Sequence, residues 1–219
     1  MKKILLLAIL ICLFVNSIPA YAHEIGELEG QLNPHRWGHV IYNYRSNGLW
    51  CCVLKVNGDY LYPQWHSELA NSCNNWNDYS GGQVSASLVS YQEGNVLLAN
   101  FVSWPENYPS YAIAVTFLAD TNGEWHVDWS TLEPNYNCQY VVYLAHIYPN
   151  PNFESNYAAN YLEKRKALTH EIGHVLGLGH EPEGIQSIMR QGDGISFGWS
   201  NYYEPQPHDV NELTYRYNN

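Results

Sequence analysis

Residues 169–180 read THEIGHVLGLGH: three histidines and one glutamate in a run of glycine, aliphatic residues and one threonine. Removing such groups from water is costly unless they share a partner. On a helix, His170 and His174 stand at i and i+4, so both rings leave one face a turn apart and can reach one ion. Glu171 follows the first ring directly and flanks the ion, where a carboxylate can accept a proton from an activated water. Gly177, three residues after His174, is placed to end the helix in left-handed geometry. The chain can then double back through residues 178–179 and offer His180 as a third imidazole. Three neutral imidazoles with one open position form the donor set of a catalytic zinc rather than a closed structural one. Five positions of H-E-x-x-H-x-x-G-x-x-H are matched together, which a bare H-x-x-H is not.

These groups need a helix to carry them and a core to hold the helix. The spacing predicts a helix starting near Ser155 or Asn156 and running through YAANYLEKRKALTHEIGHVLG. An earlier helix is predicted over 62–82, with Trp65, Leu69, Cys73 and Trp76 on one stripe and glycines at its end. Alternating aromatic and β-branched residues mark strands from RWGHVIYNYR onward. QVSASLVSY and NVLLANFVSW read as a hairpin through residues 92–94. YAIAVTFLAD and EWHVDWS read as another around 121–123, and CQYVVYLAHIY (138–148) as a buried strand. Residues 181–207 are rich in Gly, Pro and Ser, and PHDVNELTYRY closes the chain as a short helix. The expected fold class is α+β: a mixed sheet with one early and one late helix packed on it, then an irregular part over 181–219.

The zinc motif and the later SIMRQG resemble the metzincin metallopeptidases, recognised by this long motif and a "Met-turn". Met189 lies nine residues after His180 and supplies that turn. The short distance between them, and the order strand, helix, several strands, active-site helix, Met-turn, closing helix, are most similar to the matrixin group. The resemblance implies a mostly parallel twisted sheet, one catalytic zinc, and Met189 as a hydrophobic floor beneath the ligands. It implies that the loop after the Met-turn walls the substrate pocket, with Phe197, Trp199, Tyr202 and Tyr203 as lining candidates. It further implies a zinc endopeptidase, with substrate extended along a sheet edge beside the active-site helix. Glu181 resembles the residue that astacins carry after the third histidine, although their longer signature is missing. Gln191 stands where astacins and serralysins have a tyrosine ligand, so no fifth ligand is expected. His126, Asp128 and His146 faintly echo the family's structural zinc site; neither that ion nor calcium is expected.

Residues 1–22 combine MKK, the apolar run ILLLAILICLF and the small-residue site AYA, the pattern of a secretory signal peptide. The mature chain is expected to be one domain, 23–219, opening with a loose acidic segment over 23–35. Loss of the segment removes Lys2 and Lys3 but none of the 21 acidic residues, so the net charge falls from −11 to −13. That balance excludes nucleic acid as a partner, and no second apolar run approaches membrane-spanning length. A secreted monomer acting on proteins or peptides is expected. Cys51, Cys52, Cys73 and Cys138 remain, an even count that reads as one or two disulfides joining Cys51 or Cys52 to Cys73 or Cys138.

Two other classes stay open. A Tyr- and Trp-rich binding protein on the same scaffold would use its zinc structurally, leaving Glu171 without purpose. Cleavage after Ala22 would expose His23, whose amine and ring could chelate copper, as in lytic polysaccharide monooxygenases. Glu24, Glu27 or Glu29 could also fold back on the zinc as a latency segment.

Overall fold

The computed structural model describes residues 35–37, 42–44, 50–100, 112–120, 122–128, 133–134, 140–152, 161–181, 184–190 and 202–218. Residues 1–22, read above as a signal peptide, together with His23, the acidic residues at 24, 27 and 29, Cys138, Gln191, Phe197 and Trp199, lie outside them. All the described elements fall within one unit, Asn33–Asn219.

Strand periodicity builds the sheet. In β3 (Trp50–Tyr60) Cys52, Leu54 and Val56 are buried while Lys55 between them is exposed. The same alternation places Val84 and Ala86 of β4 (Val84–Leu88), Val96 and Leu98 of β5 (Val96–Ala99), and Ala145 and Ile147 of β9 (Tyr140–Pro149) in one core, joined by Leu118 of β6 (Ala114–Asp120), a strand buried along its whole length. β3 pairs in parallel with both β4 and β5, and β5 with β9, while β6 runs antiparallel to β9. The result is a five-strand, mostly parallel sheet in an α+β fold. Short strands extend it: β1 (His35–Trp37) on β9, β2 (Tyr42–Tyr44) on β3, β7 (Trp125–Asp128) on β6, and β8 (Glu133–Pro134) on β7.

The β6–β7 pairing matches the expected hairpin. The hairpin expected at 92–94 does not form. A 3-10 turn (Tyr91–Glu93) carries the chain from β4 to β5, and the two strands lie on opposite sides of β3. Lys55 O accepts from Asn95 N at 2.9 Å, whereas Val56 O, pointing the other way, accepts from Val89 N at 3.0 Å. Adjacent carbonyls of one strand face opposite neighbours, so both flanks of β3 are paired in parallel.

Among the described residues, three helices accompany the sheet. Helix α1 (Pro63–Tyr79) buries the predicted stripe of Trp65, Leu69, Cys73 and Trp76, and Gly81 and Gly82 follow its end at positive φ. Helix α2 (Tyr161–Val175) carries His170, Glu171 and His174, and α3 (Pro207–Asn218) is the last element. No helix among the described residues is long and apolar enough to cross a membrane.

Helix α1 clamps α2 from the side. Trp76, with no exposed surface, donates from Nε1 to Thr169 O at 2.9 Å, and Ser72 Oγ donates to Arg165 O at 3.0 Å. Arg165 pairs with the buried Glu68 at 2.9 Å. The partnered indole N–H removes the cost of burying that donor, so the histidine helix is held at a set depth.

The expected disulfides differ from what the structure contains. Cys51, Cys52 and Cys73 are buried free thiols. Cys52 and Cys73 pack among apolar neighbours, and burial pushes the Cys73 thiol up to about 12. A thiol so placed behaves as a small hydrophobe.

Candidate metal centre

Helix α2 ends just beyond His174 in a glycine cap. Gly177 has φ +87°, its N–H bonds to His174 O at 2.9 Å, and Leu178 N bonds back to Gly173 O at 3.0 Å. These are the two bonds of a Schellman motif. The reversal also turns Leu178 O toward the helix, where His174 Nδ1 meets it at 2.9 Å. His170 Nδ1 meets a second carbonyl, Ile188 O, at 2.9 Å.

A carbonyl can only accept, so each Nδ1 must be the donor. That fixes both rings in the tautomer with the Nε2 lone pair available. Those lone pairs converge with His180: its Nε2 lies 3.1 Å from His170 Nε2 and 3.2 Å from His174 Nε2. One ring proton cannot serve both contacts, whereas a cation serves three lone pairs at once. The three imidazoles can hold a metal ion, and nitrogen donors of this kind suit first-row transition ions.

The electrostatics favour the neutral, ligating form. Burial, with the nearby His180 adding to it, depresses the pKa of His170 to about 3 and that of His174 well below its ordinary value. Lys166, one turn before His170, further disfavours a charge on that ring.

Glu171 is buried at 6% exposure. Its Oε2 accepts from Thr116 Oγ1 of β6 at 2.5 Å. Sequence reading passed over Thr116, which lies more than fifty residues away and belongs to no motif. A lone hydroxyl between Ala114 and Leu118, on the core face of a strand, was the available signal.

Met189 lies in a turn packed against the histidine helix. Met189, 1% exposed, packs its Sδ against Gly173, where a Cβ would collide with that sulfur and press on Trp76 at 3.3 Å. Gly173 is thus a second glycine of the motif with a steric reason to be one. The turn is anchored by Asp209 of α3. Its Oδ1 accepts from Ser187 Oγ at 2.5 Å, and its Oδ2 accepts from Ile188 N at 3.0 Å and from Gln206 N at 2.7 Å. Asp209 was also missed. Through Ser187 Oγ, which accepts from Met189 N at 2.7 Å, it also holds the peptide that contains Ile188 O, the acceptor for His170. A short parallel bridge, Glu181 with Arg190, ties the segment after His180 to the segment after Met189.

Of the pocket candidates, Tyr202 and Tyr203 are half-buried. Tyr203 O accepts from Asn75 Nδ2 at 2.6 Å, and Lys166 Nζ lies 5.7 Å from the centre of the Tyr203 ring. Tyr203 therefore lies beside the helix one turn before His170. Of the faint second metal set, His146 Nδ1 contacts Tyr148 Oη at 3.0 Å and its ring lies 4.7 Å from Trp125. The side chains of His126 and Asp128 are outside the described residues.

Comparison with protein-family models and with curated proteins finds no match to this chain. Its function has to be argued from the site.

Proposed function

We propose that this protein is a secreted, zinc-dependent endopeptidase of the metzincin type, most similar to the matrixins, that hydrolyses peptide bonds in extracellular proteins. The observation that carries the reading is the convergence of three imidazole Nε2 atoms beside a buried glutamate, with two of the rings locked by backbone carbonyls. Zinc fits this donor set. Bonds of about 2.0–2.1 Å at tetrahedral angles separate ligand nitrogens by roughly 3.3 Å, and the two measured separations are 3.1 and 3.2 Å. The element order, Gly173 packed on Met189, and the closing helix all support the family resemblance.

His170, His174 and His180 would hold the zinc. When bound, it supplies Lewis acidity, activating a water and polarising a substrate carbonyl. The chain's own residues do the rest. Glu171 accepts the proton of the attacking water and passes it to the leaving amine, so the C–N bond breaks as an acid and an amine form. Leu178 O and Ile188 O keep the rings oriented throughout. Strand β6 gives the substrate a place to lie. Residues 114–117 pair with β9 on one edge, whereas β7 meets β6 only at Leu118 and Ala119 among the described residues. The family resemblance would lay an extended peptide along that edge, beside the strand position that contacts Glu171. Tyr203, near Lys166, lies where a pocket wall is expected.

The test is cleavage of casein and a mixed peptide library by the purified protein, with zinc, with a chelator, and as Glu171→Ala. Cleavage that chelation and the substitution each abolish supports the peptidase. Zinc bound one-to-one by both forms, with cleavage by neither, would leave the binding-protein alternative.

A further inference from the structure

The core-facing side of β6 carries Ala114, Thr116 and Leu118, and the registered partner of Thr116 in β9 is the fully buried Ile147. Thr116 is itself 2% exposed. A valine there would have the same shape and no polar atom to satisfy, so a hydroxyl at this point costs stability unless something uses it. Its Oγ1 lies 2.5 Å from Glu171 Oε2 and 3.4 Å from Glu171 O. Its single proton therefore goes to the carboxylate, and the bond is of the short, charge-assisted kind. Threonine is branched at Cβ and stiff at χ1, and the pairing of β6 with β9 fixes its backbone. The hydroxyl is a donor with one direction.

We propose that Thr116 is a positioning residue for Glu171: it pins Oε2 and so fixes the direction in which the carboxylate faces. The inference rests on the reading of Glu171 as the general base. It links the base to the strand edge on which the substrate would lie. A peptide docking along residues 114–117 meets the same strand that holds the carboxylate, so the relation between scissile bond and base is set by one rigid element.

The test uses zinc-loaded wild type, Thr116→Val and Thr116→Ser. Because small misplacements of a reacting group are expensive, Thr116→Val should lower kcat by about 10- to 100-fold. KM and zinc stoichiometry should be unchanged. Thr116→Ser, which keeps the hydroxyl and loses only a methyl group, should recover most of kcat. A role confined to packing predicts the reverse order, with valine the milder change, and that result would overturn the proposal. Crystal structures of the zinc-loaded wild type and Thr116→Val give a readout independent of turnover. The Glu171 carboxylate should turn in the valine variant, and an unmoved carboxylate would sink the positioning role whatever the rates. If the wild type cleaves nothing, the peptidase reading fails, while the carboxylate orientation still decides whether Thr116 positions it.

Discussion

His174 Nδ1 donates to Leu178 O at 2.9 Å across the turn that ends α2, so the residue four places on sets the tautomer of an imidazole that can hold a metal ion. The turn depends on Gly177 at φ +87°. Gly177→Ala should cost about 1–2 kcal/mol in stability, because a Cβ is strained in left-handed geometry. It should also weaken zinc by roughly tenfold through loss of the carbonyl partner. Denaturant titration and a competitive chelator assay measure the two effects separately.

Met189 and Gly173 occupy one contact. Gly173→Ala should destabilise by about 1–3 kcal/mol through overpacking against the sulfur. Met189→Ala should cost about 2–5 kcal/mol by leaving a cavity. The double variant should be less damaged than the sum, since the cavity accepts the new methyl group. Strict additivity in a double-mutant cycle would show that the two residues do not meet.

Acid should destabilise the metal-free protein through its ligands. The folded pKa of His170 is depressed to about 3 and that of His174 is also depressed, by burial first and by His180 next. Unfolded histidine takes up its proton near pH 6.5, so below that value the unfolded state binds protons that the folded state refuses. Stability of the chelated protein should therefore fall as pH drops from 6.5 toward 3. His170→Gln should flatten that slope, and thermal melts across the range test it.

His208 should behave in the opposite sense. Its ion-pair contact with the buried Glu181, at 3.3 Å, raises its pKa. The pair contributes fully below the unfolded value of about 6.5 and is lost as pH rises through the raised folded value. His208→Asn should cost roughly 1 kcal/mol at pH 5.5 and less at pH 9, a modest size for a partly exposed pair. An equal cost at both pH values would remove the ion pair as the cause.

Strand and helix identity was largely legible because it follows from local periodicity: the α1 stripe, the β6–β7 hairpin and α3 stand where the patterns put them. The order of strands was not. QVSASL and NVLLA look like hairpin arms, because alternation says which face of a strand is buried and nothing about which neighbour it pairs with. The cysteines misled for a related reason. An even count in an exported chain suggests bridges, but Cys51, Cys52 and Cys73 occur in the structure as buried thiols.

The three histidines that can hold a metal ion were legible in the sequence alone. His170 and His174 need only a helix to share a face, and Gly177 needs only a glycine's access to positive φ to bring His180 back. Those constraints act over a few residues, so spacing encodes them. Thr116 beside Glu171, Asp209 beneath Ile188, and Gly173 against Met189 and Trp76 are contacts between segments far apart in the chain. They exist only once β6, α1, α3 and the Met-turn have closed around α2. Tertiary packing decided them, because what orients a buried carboxylate or an imidazole is whichever donor or acceptor the fold carries to within about 3 Å of it.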